Sequence, residues 1–195
     1  MSFSSISAFK QPTFFETMIK QGVVPRPVFG FGLWADNARL DIGHLPKAAY
    51  QGELHWSPAT GENGFWQIGG FLSGLEKEQD CLIDTGTTLI IGPKDRVKAM
   101  YDGLGVATKE QGGLVHGVYK VDSPPSISFT FNGRAFPISA DKLGYQKHGD
   151  LMVCCVVGMD IGMPAFVVGD SFLSGYYAAF DQSEEPRVGF APKAC

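Results

Sequence analysis

The stretch Cys81-Leu82-Ile83-Asp84-Thr85-Gly86-Thr87-Thr88 is an apolar run that delivers a carboxylate onto a sharp turn. Gly86 lets the backbone approach closely, and Thr85, Thr87 and Thr88 place three hydroxyls beside the acid. Donors of this kind favour the ionised carboxylate and fix its direction. A carboxylate so held can orient a water molecule and take its proton, which is general-base chemistry. The triplet alone also fits an ordinary surface turn, because Asp and Gly are common turn residues. A second signal is needed to choose between the two readings.

That signal lies in Ala165-Phe166-Val167-Val168-Gly169-Asp170-Ser171-Phe172-Leu173, an apolar strand whose terminal glycine comes 85 residues after Asp84. Asp170 is expected to be a structural residue at a strand-to-helix turn rather than a second catalytic acid. Gly169-Asp170-Ser171 superficially suggests a serine nucleophile elbow. It lacks the second glycine of G-x-S-x-G and a histidine partner, so that reading is set aside. His44, His55, His116 and His148 have neither ligand nor triad spacing and read as surface histidines.

The elements that must position these residues are mostly strands. Among 195 residues, 44% are hydrophobic and 18% charged, with 25 glycines, 12 prolines and 15 phenylalanines. That usage excludes a disordered or coiled-coil chain and suits many short strands joined by tight turns. The net charge of −4 gives no basic excess, which argues against nucleic acid as a partner. No 18-residue apolar run is present, so no membrane-spanning helix is expected. Met1–Ile6 lacks a charged region followed by an apolar one, so it does not read as a signal peptide. Cys81, Cys154, Cys155 and Cys195 show no C-x-x-C spacing, which disfavours zinc; no cofactor is expected.

Local patterns add detail. Thr13-Phe14-Phe15-Glu16 fits a capping box opening a helix from Pro12 to Gln21, with Phe14, Phe15, Met18 and Ile19 as its apolar face and Gly22 as its stop. A second helix begins at Pro93, with Val97, Met100, Tyr101 and Leu104 at helical spacing. Strands are expected within Val23–Leu33 and at Leu40–Ile42, Glu53–Ser57, Phe65–Phe71, Leu151–Val157, Phe166–Val168, Tyr176–Phe180 and Arg187–Phe190. The pair Asn132-Gly133 predicts a type I′ hairpin over Ser126–Ser139, with Phe129 opposite Phe136 and Ile127 opposite Ile138.

Taken together, D-T-G-T-T, the later apolar-apolar-Gly strand, Gly64-Phe65-Trp66-Gln67-Ile68, Ser128–Ser139 and Val157-Gly158-Met159-Asp160 resemble pepsin-like aspartic proteases, the fungal members in particular. The resemblance covers essentially the whole chain. It implies the C-terminal lobe of the bilobal acid protease fold, mostly β with two or three short helices. Residues 1–22 would be the end of the N-terminal lobe and 23–195 the C-terminal catalytic lobe, including part of the interlobe sheet. It implies an aspartic-type endopeptidase acting on polypeptides in acid, with secreted or vacuolar localisation.

Residue by residue, Asp84 would be the C-lobe catalytic aspartate, and Thr85 the threonine that bonds across to the other lobe. Gly86 and Thr87 would line the floor near the scissile bond, Thr87 able to bond substrate backbone, and Thr88 would support the site. Leu82 and Val167 would contribute to subsites, and Gly169 would be the glycine of the ψ-loop. Gly32 falls where relatives place a larger residue that shapes a subsite. Ser123 stands where many place a cysteine, so the usual lobe disulfide to the Cys154 region is not expected, and at least two thiols should be free.

Such enzymes use two aspartates, and these 195 residues hold one D-T-G, no D-S-G and no tyrosine flap. Three readings follow: part of an endopeptidase completed by an N-terminal lobe, a self-dimer pairing two Asp84 turns, or an inert folded fragment that binds a partner.

Overall fold

The computed structural model describes residues 1–60 and 64–194. Cys195 lies outside the described residues. The early strands are β1 (Val28–Gly32), β2 (Arg39–Ile42), β3 (His55–Pro58), β4 (Gln67–Leu72), β5 (Gln79–Ile83), β6 (Ile90–Gly92) and β7 (Ala107–Gln111). There follow β8 (Leu114–Lys120), β9 (Ser128–Phe131), β10 (Arg134–Pro137), β11 (Gly144–His148), β12 (Leu151–Gly158), β13 (Phe166–Val168), β14 (Tyr176–Asp181) and β15 (Arg187–Pro192). The helices are short: α1 (Phe14–Lys20), α2 (Lys94–Gly103), and the single turns α3 (Ala140–Leu143) and α4 (Asp170–Leu173). The fold is thus mostly β, as the resemblance implies. No helix among the described residues is long and apolar enough to cross a membrane. The chain divides into two compact units, residues 1–68 with 176–195, and residues 69–175.

The first unit is built on an antiparallel five-stranded sheet of order β2-β1-β14-β15-β3. Helix α1 starts where the sequence predicts. The Thr13 hydroxyl accepts from the Glu16 amide, and the Glu16 carboxylate accepts from the Thr13 amide at 2.8 Å. Only part of the expected apolar face is covered: Phe15 is buried, whereas Phe14 is 71% exposed. Phe15 meets Phe29 edge-on at 5.0 Å, and Phe29 stacks on Phe180 at 4.8 Å. Elsewhere in this unit, Tyr177 donates to Asp41 at 2.8 Å while Arg39 grips both Asp41 oxygens at 2.7 and 2.8 Å. Burial pushes the Asp41 carboxyl up, but these donors outweigh it and hold it below the usual carboxylate range. A Cβ at Gly32 would lie 2.8 Å from the Trp34 ring, so a larger residue there would require that side chain to move.

The second unit holds a ten-stranded sheet of order β10-β9-β4-β5-β13-β6-β12-β8-β7, with β11 paired to β12. The hairpin forms in the expected register: Phe136 faces Phe129, and the Ile138 amide bonds the Ile127 carbonyl at 2.9 Å. Asn132 and Gly133 take φ of 45° and 79°, as a type I′ turn demands. Phe129, Phe131 and Phe172 cluster beneath it. Helix α2 buries Val97, Met100 and Tyr101, and the Tyr101 hydroxyl donates to the Val156 carbonyl at 2.6 Å. Cys81, Cys154 and Cys155 are buried free thiols. Hydrogen bonding to Cys154, together with burial, pushes the Cys155 thiol up, which keeps it protonated.

The histidines divide. His44 and His148 are exposed as expected, but His55 and His116 are half-buried. His116 sits on β8, where alternation turns it away from α2, and its Nδ1 is buried without a hydrogen-bond partner among the described residues.

Candidate active site

Strand β13 inserts between β5 and β6, parallel to the first and antiparallel to the second. The connection between β5 and β6 carries Asp84, so a strand from much later in the chain lies between the two strands that this loop joins. The Asp84 amide continues the β13 pairing by donating to the Val168 carbonyl at 3.1 Å. Beyond it the turn closes on itself, with the Thr87 amide donating to the Asp84 carbonyl at 3.3 Å.

Gly169 locks this turn from the other side. A Cβ at Gly169 would lie 2.1 Å from the Thr87 carbonyl oxygen and 2.5 Å from that of Leu89. The contact is backbone on backbone, so only glycine lets the two segments come this close. Immediately afterwards the Asp170 amide donates to the Thr87 carbonyl at 2.8 Å. The Ser171 amide and hydroxyl both donate to Thr88 at 2.9 Å. The first turn of α4 is thereby pinned to the loop that carries the acid.

The Asp84 carboxylate is exposed and held by two donors, the Gly86 amide to Oδ1 at 2.9 Å and the Thr87 hydroxyl to Oδ2 at 2.6 Å. Two fixed donors leave outward lone pairs for a water molecule. The Thr87 proton is committed to Asp84, so any bond from this side chain to a substrate backbone must use its oxygen as acceptor. Leu82 is buried and Val167 half-buried, directly opposite one another on one sheet face. Thr85 is half-buried and Thr88 exposed. All eight residues singled out in the sequence therefore belong to, or abut, one turn and the strand beside it.

Asp170 stands at the strand-to-helix turn as expected, at the first position of α4. What the sequence did not disclose is its electrostatic tie to Asp84. Burial, and then the charge of Asp84, push the Asp170 carboxyl above its ordinary range, and Oδ1 is buried with no partner among the described residues. The G-D pair at the end of β13 was the available signal. A raised value in the folded state means that Asp170 favours folding while protonated and costs stability as pH rises through its folded value. Asp170→Asn should therefore raise the melting temperature near pH 7 by on the order of 2 °C, the gain fading below about pH 4. Thermal melts at the two pH values check this, and an equal shift at both would contradict it.

The sequence pattern described as "Eukaryotic aspartyl protease" matches residues 1–193. The chain is 36% identical to secreted aspartyl protease 1 of Malassezia globosa, over all of its own length and 50% of that protein. It is 30% identical to gastricsin of Mus musculus, over 98% of the chain and 53% of that protein. Against cathepsin E of Aquarana catesbeiana it is 30% identical over 91% of the chain and 48% of the relative. The chain spans about half the length of the curated relatives it matches. With the family pattern running through nearly every residue, and strand β13 threaded past an aspartate turn, the chain belongs to the eukaryotic aspartyl proteases.

Proposed function

We propose that this chain supplies one of the two catalytic aspartates of an acid endopeptidase that acts on polypeptides. The observation that carries the proposal is Asp84, exposed, gripped by two donors, and set on a turn that a distant strand immobilises. Aspartic proteases are the standard worked case of two close carboxylates sharing one proton, since both cannot ionise together. The ionised member takes a proton from water, and the protonated one polarises the peptide carbonyl. Asp84 fills one of these roles. A second aspartate turn completes the pair, supplied by an N-terminal lobe or, as the second reading, by another copy of this chain.

In that assembly Leu82 and Val167 form apolar subsite wall, Gly86 and Thr87 make the floor beside the scissile bond, and Thr88 supports it. Thr85 bonds across to the partner turn, and Gly169 holds the turn without touching substrate. Residues 1–22 belong with the end of the N-terminal lobe and 23–195 with the C-terminal lobe. The chain would be secreted or vacuolar, and the relative named as secreted supports secretion.

Peptide hydrolysis by this chain joined to a second D-T-G lobe, between about pH 3 and 6, tests the reading. Run in hydroxylamine, the reaction should yield no acyl hydroxamate, because water attacks directly. A hydroxamate would reveal an acyl-enzyme and sink the proposal. The 195 residues alone should show no turnover, whereas turnover by a dimer of this chain would favour two paired Asp84 turns.

A further inference from the structure

The sheet of the second unit has a cross-strand row that leads away from the aspartate turn. Leu82, Val167, Ile91, Val157, His116 and Lys109 stand directly opposite one another in turn, across β5, β13, β6, β12, β8 and β7. Residues directly opposite in a sheet share a face. Asp84 lies two residues beyond Leu82 on the strand end, so the row begins beside the carboxylate and ends at a lysine.

At the lysine end the sheet face forms a groove of about 360 Å3, lined by Lys109, His116, Tyr145 and His148 over a floor that includes Val118 and Val153. Among the described residues, no carboxylate lines it. Glu110 is paired with buried Val115 and alternates to the other face. His116 lines the groove with its ring, while its Nδ1 is buried away from solvent without a partner among the described residues. The groove thus offers one permanent positive charge, two imidazoles and a phenol above aliphatic surface. That set is complementary to a carboxylate on a short apolar stem.

Five strand spacings of about 4.8 Å separate β5 from β7, or about 24 Å, which an extended peptide covers in about seven residues. We infer that this groove is a distal substrate site that receives an acidic side chain about seven residues from the bond cleaved at Asp84. The inference rests on the endopeptidase reading for the direction of the peptide, and it deepens that reading by naming a charge preference. Specificity of this kind is a difference in affinity set by the Lys109 charge and the ring groups beside it.

The test uses the 195-residue chain and fluorescein-labelled peptides of fixed apolar sequence. A single Glu, or Gln in its place, is set four to ten residues from a central Phe–Phe pair. Anisotropy titrations should show the Glu peptide binding about tenfold more tightly than its Gln twin at spacings of six to eight, and equally at four. Lys109→Gln, an exposed position that leaves the fold intact, should abolish that difference, and His116→Phe should reduce it. Equal binding of the Glu and Gln peptides at every spacing overturns the inference. So does N-acetylglutamate alone binding as tightly as the peptide, since the groove would then serve small carboxylates. Because the readout is binding, failure of the catalytic reading shows in hydrolysis and failure of this one in anisotropy.

Discussion

Peptide hydrolysis should fall by roughly 10^3- to 10^4-fold when Asp84 is replaced by Asn in the two-lobed enzyme, with the fold undisturbed. Asn keeps the shape of the side chain and an oxygen for the Gly86 amide, so the bond now 2.9 Å long survives. It loses the charge that draws the Thr87 hydroxyl to 2.6 Å and the basicity needed to accept a proton from water. Since Asp84 is exposed, its removal leaves no cavity and no buried orphan. The melting temperature should therefore stay within a few degrees while kcat collapses. Relief of charge on Asp170, whose carboxyl is raised partly by Asp84, should even favour the variant slightly at neutral pH. Activity retained at more than about a tenth of the original would remove Asp84 from the dyad.

Gly169→Ala should do the reverse, damaging the fold and the activity with it. The backbone there has φ −100° and ψ −160°, extended values that any residue adopts, so dihedral strain plays no part. The damage is steric: the new methyl would sit 2.1 Å from the Thr87 oxygen and 2.5 Å from the Leu89 oxygen. Both are main-chain atoms in a pinned turn and cannot swing aside as a flexible side chain would. Either β13 shifts, breaking the 2.8 Å bond from the Asp170 amide, or the turn that carries Asp84 opens. We expect a loss of about 3–5 kcal/mol and a fall in melting temperature of roughly 10 °C. Gly175→Ala is the control, because its Cβ would find only the Phe172 oxygen at 3.3 Å. Melts that do not separate the two variants would show that the ψ-loop contact is dispensable.

What was legible in the sequence is what local chemistry dictates. Asn132-Gly133 specifies a turn type, the turn type fixes a register, and Phe129 meets Phe136 as a result. Thr13 and Glu16 mark a helix start because no other pairing satisfies the same amides as well. The D-T-G turn and its glycine strand were legible as a pair, although 85 residues separate their key members, because each is a sequence pattern in its own right. The hairpin of β7 and β8 was passed over. Its Gly112-Gly113 pair, with φ of 59° and 78°, was a fair signal, but Thr108-Lys109-Glu110-Gln111 shows no alternation. An edge strand that buries little on either face leaves no period to read. The half-burial of His116 was hidden for the same reason, as it depends on which strands β8 lies between. Phe14 erred in the other direction: its place in the helical pattern was right, but no partner among the described residues covers it.

The threading of β13 also dictates when the site can come into being. Asp84 sits near the middle of the chain, yet three of the contacts that pin its turn come from Val168, Gly169 and Asp170. Until those residues are synthesised and docked, β5 and β6 have no strand to stand between them, and the turn that carries the carboxylate lacks the contacts that pin it from outside. The entropy of closing a loop of this length grows only logarithmically, so the cost is modest, but it must be met before the contacts reward it. Folding of this region is accordingly non-local and slow compared with the hairpin of β9 and β10. A nascent chain, or a proteolytic fragment lacking residues 166–171, would carry the D-T-G letters and still be chemically silent. For a protein whose proposed chemistry is to cut polypeptides, this order of assembly ties the appearance of the site to completion of the sheet around it.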